Sequence, residues 1–445
     1  MSHDEAARPA TEGALHLGPG ALRQLEACVH CGFCLPVCPT YRELGEEADS
    51  PRGRIDMIAG AHSGKVRLQD PELALHLDRC LDCRACESAC PSGVRYHELF
   101  EEAVARLPAR RPWLSNPDQA GEAAAFAGGW RLVRFGLRRL VSKPRTLWWT
   151  MRLVPRVAGL DRHLPVGLRD LLRALPAPVA RPARARLPKV LPAQGRRRGA
   201  VDLFLGCIQD AAFGDENMAI ARVLSRCGYD VRAVRTQGCC GALHQHTGRR
   251  LDLEALAAVN LTAFTDDDER PIIVGAGGCS AVLKDYGRLL ADGPLAEPAA
   301  RLSARVRDFS EFLAGLPDLP EALPPPGAPL RVTYHDPCHL AHAQGIRREP
   351  RTLLAAVPGV EFVELQEADS CCGSAGIYNL VEPDLAARVL ERKIANIETS
   401  AADVVVTCNA GCALQLRVGL ARRGLPVRVL SLGGFLAEVW GCGVA

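Results

Sequence analysis

Two stretches of the chain repeat one cysteine spacing, and that spacing constrains the fold more than anything else in the sequence. The first reads Cys28-Val-His-Cys31-Gly-Phe-Cys34-Leu-Pro-Val-Cys38-Pro39 and the second Cys80-Leu-Asp-Cys83-Arg-Ala-Cys86-Glu-Ser-Ala-Cys90-Pro91. Both are C-x₂-C-x₂-C-x₃-C-P. Three thiolates at that spacing wrap one face of an iron–sulfur cubane, and the next turn carries the fourth to a neighbouring one. The pattern predicts two [4Fe–4S] clusters. One takes Cys28, Cys31, Cys34 and Cys90; the other takes Cys80, Cys83, Cys86 and Cys38. Each closing proline redirects the chain and supplies no competing N–H. Zinc sites use two separated pairs rather than a doubled run of four. His30 reads as a solvent-facing loop residue that tunes the first centre. Clusters saturated by cysteine offer no open position for substrate, so no catalytic residue is assigned to the chain.

The remaining composition sets the context. The chain has 445 residues, 48% of them hydrophobic, and 54 basic against 51 acidic side chains, which predicts several folded units and no global disorder. Nineteen cysteines in a small secreted chain would suggest disulfides. Here Met1 to Gly20 has no basic start followed by an apolar core, and no run of about 18 apolar residues occurs. The expectation is a cytoplasmic metal or redox protein, at most peripheral to the inner face of the cytoplasmic membrane. No Gly-rich dinucleotide fingerprint follows a strand, and Gly275-Ala-Gly-Gly278 lacks the spacing, so flavin is not expected on this chain.

Composition divides the chain into a flexible N-terminus (1–20), a two-cluster ferredoxin-type domain (21–105), a basic helical connecting segment (106–198) and a duplicated region (199–445). The duplication shows in Gly206-Cys207 against Pro337-Cys338, Cys239-Cys240-Gly241 against Cys371-Cys372-Gly373, and Gly278-Cys279 against Gly411-Cys412. The offsets are 131, 132 and 133 residues. Apolar β-branched runs precede the anchors, so each copy (199–325 and 326–445) reads as an α/β unit with buried parallel strands. The fold class is therefore multidomain, an α-helical two-cluster domain followed by a duplicated α/β Cys-Cys-Gly region. Cys207, Cys239, Cys240 and Cys279, with Cys338, Cys371, Cys372 and Cys412, are candidates for a further cluster or redox thiols. The bland reading is buried packing thiols. Cys227 and Cys442 match nothing in the other copy and read as packing residues; whether Cys408 joins Cys412 is open at this level.

Between Arg106 and Arg198 there are 21 basic and four acidic residues. Trp130, Val133, Leu137 and Leu140 share one helical face, with Arg131, Arg134, Arg138 and Arg139 mostly on others and Trp148-Trp149 and Met151 close behind. That pattern suits an anionic membrane surface near a quinone acceptor, an acidic partner subunit, or a plain solvated connection. No nucleic-acid module accompanies it.

Several segments together resemble the iron–sulfur subunit of bacterial glycolate oxidase (glycolate dehydrogenase). They are Ala27-Cys-Val-His-Cys-Gly-Phe-Cys34, Pro51-Arg-Gly-Arg-Ile55, Asp78-Arg-Cys-Leu-Asp-Cys83, Cys90-Pro-Ser-Gly-Val-Arg-Tyr-His97 and Cys371-Cys-Gly-Ser-Ala-Gly376. The resemblance implies two [4Fe–4S] clusters on the eight N-terminal cysteines. It also implies a complex with FAD-binding subunits that oxidise glycolate to glyoxylate and pass electrons toward a respiratory acceptor. The C-terminal half is similar to the Cys-Cys-Gly domains of heterodisulfide reductase and anaerobic glycerol-3-phosphate dehydrogenase subunits. In the fuller motif the last cysteine belongs to a C-x-x-C pair, and here Ala276 and Asn409 stand at its first position. The alternatives are an equivalent subunit for lactate or glycerol 3-phosphate, a thiol–disulfide oxidoreductase acting at Cys239-Cys240 or Cys371-Cys372, and a zinc-binding interaction protein.

Overall fold

The computed structural model describes residues 14–107, 144–153, 181–265, 269–325 and 329–442. The chain forms two compact units, Met1–Leu132 and Val133–Ala445.

In the first unit every described regular element is helical. Helices Pro19–Glu26, Pro39–Leu44, Pro51–His62 and Pro71–Asp78 each start on proline, whose fixed φ suits the first turn and whose missing N–H would be unpaired there anyway. Ser50 and Asp70 cap two of them, accepting from the Gly53 and Glu72 amides. Ala85–Ser88 and Tyr96–Arg106 complete the set. Their apolar faces meet in a core of Leu15, Ile55, Ile58, Leu73, Leu77, Leu99, Phe100 and Val104. The two cysteine loops lie at the edge of this core, with Cys28, Cys80, Cys86 and Cys90 packed against it.

The second unit contains two sheets of one design. Strands β1 (Val190–Leu191), β2 (Gly199–Phe204), β3 (Tyr229–Ala233), β4 (Ile272–Val274) and β5 (Val306–Asp308) run in the order β1-β3-β2-β4-β5. Strands β6 (Leu330–Tyr334), β7 (Val360–Phe362), β8 (Val404–Thr407) and β9 (Arg428–Ser431) run in the order β7-β6-β8-β9. Among the described residues all pairings are parallel except β1 on β3, so the second sheet repeats the β3-β2-β4-β5 order of the first. The duplicated α/β region is therefore as the cysteine anchors predict. Central strands such as Val404–Val406 are fully buried, which explains their unbroken apolar character. The two sheets share one core, in which Val201, Leu203 and Ile273 sit with Val332, Tyr334, Val404 and Val406. A backbone hydrogen bond of 2.8 Å from Gly277 N to Cys408 O joins the copies directly.

Two features fall inside the basic stretch. Val190–Leu191 forms the antiparallel edge of the first sheet, and Leu187 enters its core. Helix Pro144–Leu153 buries Leu147 and Trp148 against Ala211, while Trp149 stays exposed. One tryptophan of the expected membrane-facing pair is thus spent on packing. The amphipathic pattern from Trp130 to Leu140 lies outside the described residues.

Candidate iron–sulfur site

The cysteine loops owe their shape to residues that hold positive φ. His30 (φ 54°) and Gly32 (φ 83°) flank Cys31, and Asp82 (φ 46°) and Arg84 (φ 60°) flank Cys83 at the equivalent places. A left-handed residue on each side of the middle cysteine reverses the chain twice within one loop, so successive side chains turn toward one centre. Three of these four residues carry a Cβ that disfavours the conformation, a local cost typical of functional loops.

The loops enclose two cavities. The first is lined by Cys28, Cys31, Cys34 and Cys90, with Cys86 at its inner wall. The second is lined by Cys38, Cys80, Cys83 and Cys86. Cys90 of the second run lines the first cavity and Cys38 of the first run lines the second, as the C-x₂-C-x₂-C-x₃-C spacing implies, while Cys86 lines both. Pro51 and Tyr96 also line both cavities.

The surroundings are built for thiolate charge. Arg54 is buried; its Nε donates to His76 O at 2.6 Å and its Nη2 to Thr40 Oγ1 at 3.1 Å. It shares Asp49 with His76 Nδ1 (3.0 Å) and Arg79 (3.0 Å). Desolvation pushes the Asp49 carboxyl up, but His76, Arg54 and Arg79 together hold it below its usual value. Arg54 lines the second cavity and Arg52 the first; Arg52 also donates to His30 O at 3.0 Å. Burial pushes the Cys34 and Cys80 thiols up to about 11 and raises Cys86 well above its usual value. Without a cation these thiols keep their protons; metal binding is what releases them. Eight thiols around two cavities, none of them in a disulfide and all walled by arginines, fit a pair of cysteine-ligated clusters. His30 is exposed, 3.4 Å from Asp56, as its loop position suggests.

The Cys-Cys-Gly cysteines gather within each copy. In the first, Cys207 Sγ lies 3.2 Å from Cys239 Sγ, and Cys240 Sγ lies 3.1 Å from Cys279 Sγ. The hydrogen bond with Cys239, then burial, raises the Cys207 thiol well above its usual value. In the second copy Cys372 Sγ and Cys412 Sγ lie within 4.8 Å of one another, and Cys338 is partly buried. Gly241 and Gly373 hold φ of 87° and 83°; a Cβ there would come within 2.4 Å of Leu253 and 2.6 Å of Ala386 O. The glycine of each triplet is therefore required by both conformation and space. Cys408 does not join Cys412: it packs, with Tyr334, in the core shared by the sheets. Cys227 is buried in that core and Cys442 packs against it.

Sequence reasoning does not single out Arg54, Tyr96, His335 or Lys393. Arg54 lies within Pro51-Arg-Gly-Arg-Ile55, yet nothing in that motif says which arginine turns inward. His335 and Lys393 carry no spacing signal at all.

Comparison with known proteins agrees with this organisation. Residues 24–94 match the 4Fe-4S dicluster domain family, and residues 201–284 and 332–417 each match the cysteine-rich domain family. The chain is 37% identical over 438 residues to the probable glycolate oxidase iron-sulfur subunit of Bacillus subtilis (strain 168), covering 94% of both chains. It is 36% identical over 400 residues to the glycolate oxidase iron-sulfur subunit of Escherichia coli (strain K12), covering 88% of this chain and 89% of the relative. It is 30% identical over 424 residues to a fumarate reductase (CoM/CoB) subunit of Methanothermobacter marburgensis, covering 92% of this chain and 71% of that one.

Proposed function

We propose, from the premise that the chain belongs to the family of glycolate oxidase iron–sulfur subunits, that it is the electron-transfer subunit of a complex oxidising glycolate to glyoxylate. Substrate chemistry belongs to FAD-binding partner subunits. The ligand sets are Cys28, Cys31, Cys34 and Cys90 for one [4Fe–4S] cluster and Cys80, Cys83, Cys86 and Cys38 for the other. When bound, such clusters supply neighbouring one-electron centres.

The chain's own residues do three things for them. The left-handed loop positions aim the thiolates, and Cys38 and Cys90 tie each loop to the other's centre. Arg52 and Arg54 offset thiolate charge, with Asp49 anchoring Arg54 from behind. Tyr96 and the apolar core keep water from the inner wall. The observation that carries the reading is the exchange of the fourth cysteine between two adjacent cavities.

The Cys-Cys-Gly cysteines are candidate cofactor ligands of the same complex, with a respiratory acceptor downstream. Among the described residues no helix is long and apolar enough to cross a membrane, and peripheral contact with a quinone-bearing membrane is part of this proposal.

The test is anaerobic co-purification with the flavoprotein partners, counting iron and sulfide, then adding glycolate, lactate or glycerol 3-phosphate and recording cluster reduction by EPR. Glycolate should reduce the centres fastest. A colourless folded complex, or reduction by glycerol 3-phosphate alone, would overturn the assignment.

A further inference from the structure

The two copies of the Cys-Cys-Gly unit differ at a buried position beside their thiols. With the 131-residue offset of Cys207 and Cys338, His335 takes the place of Phe204. The sheets agree: Tyr334 pairs with Val406 as Leu203 pairs with Ile273, and His335 is the next residue along. In the first copy Phe204 is buried in the same apolar cluster as Cys207, Cys239 and Cys240. In the second, an imidazole faces the thiols.

His335 is 0% exposed, its amide donates to Val406 O at 2.9 Å, and among the described residues neither ring nitrogen has a hydrogen-bond partner. Leaving both nitrogens of a buried imidazole unpaired is costly. One ring nitrogen lies with Cys372 Sγ and Cys412 Sγ in a group whose ligand atoms are all within 4.8 Å of one another, and all three residues are buried. We propose that the second Cys-Cys-Gly copy binds a single borderline-soft divalent cation, zinc by its donor set, through His335, Cys372 and Cys412. Imidazole and thiolate are the donors zinc prefers, and two thiolates neutralise the ion so that burial carries little net charge. Binding releases the two thiol protons to solvent.

A second difference between the copies supports the site. Leu253 and Ala386, which crowd Gly241 and Gly373, fix a helix offset of 133 residues at which Lys393 takes the place of Asn260. Lys393 is 1% exposed, and its Nζ donates to Glu367 O and, at 3.1 Å, to Ala368 O. It feels the charge of Cys371 and Cys372. The first copy, with Phe204 and Asn260, has neither the nitrogen ligand nor the cation.

This site lies outside the eight cysteines of the electron-transfer reading, so the two fail separately. The full chain is purified anaerobically with its partners, and zinc and iron are counted by mass spectrometry. X-ray absorption at the zinc edge reads the ligand shell. The expected result is one zinc per chain in a mixed nitrogen–sulfur shell. His335→Phe, which installs the first copy's own residue, should cut zinc at least tenfold and leave iron and glycolate-dependent reduction unchanged. His335→Cys should retain zinc in an all-sulfur shell. Absence of zinc from the wild-type chain, or its retention in His335→Phe, overturns the proposal. So does iron in excess of the N-terminal complement that disappears with the histidine.

Discussion

Gly53 offers the sharpest test of how the second cavity is built. A Cβ at this position would sit 2.0 Å from Glu47 O, 2.7 Å from its carbonyl carbon and 3.1 Å from Ala48 Cα. All three are backbone atoms, so no side chain can swing aside. Restoring ordinary contact demands about 1.4 Å of displacement in a close-packed turn. That turn, Glu47–Asp49, carries Asp49, whose carboxylate holds Arg54, His76 and Arg79 and whose carbonyl accepts from Thr40 Oγ1 at 2.6 Å. Thr40 Oγ1 in turn lies 3.2 Å from Cys38 Sγ. Gly53→Ala therefore costs overpacking of about 1–3 kcal/mol, and further loss follows if the Asp49 hub loosens. For a unit of this size that lowers Tm by about 10 °C. The iron lost first should be that of the centre using Cys38. Gly20→Ala is the control, because its Cβ meets only the flexible Arg23 guanidinium at 3.9 Å. Thermal unfolding and iron counts of the anaerobic complex measure both variants. A Gly53→Ala chain with wild-type iron and a Tm unchanged relative to Gly20→Ala would refute the argument.

Three further outcomes are expected. Cys38→Ser should alter the EPR signal of the centre held by the second run, and Cys90→Ser that of the first; effects confined to each cysteine's own run would contradict the ligand exchange. Arg54→Met removes a buried cation beside Cys38 and Cys80, so the potential of that centre should fall by on the order of 50 mV in a redox titration. Burial raises the Asp308 carboxyl to about 6 from 3.8, so between those values the folded chain keeps a proton the unfolded chain has lost. Its stabilisation is therefore full at low pH and lost as pH rises through the folded value. Asp308→Asn keeps the helix cap, so between about pH 4 and pH 6 it should lose less stability than wild type in denaturant titrations.

The gathering of the eight N-terminal cysteines around two cavities was legible because their loops are short, and short loops impose their spacing on adjacent residues. The duplication was legible for a related reason: three anchors at nearly constant offset need one strand order, and both sheets have it. Strand runs such as Val404–Thr407 announce themselves by burial on both faces. Tertiary structure alone decided which long-range side chains turn inward. Arg54 reaches Asp49, His76 and Thr40 only when three helices pack, and His335 meets Cys372 and Cys412 only across the sheet and two loops. Trp148 looks like a membrane anchor by composition, yet a neighbouring helix buries it. Local spacing is written residue by residue because covalent geometry enforces it. Contacts between distant segments depend on the summed packing of the core, which no short stretch of sequence encodes.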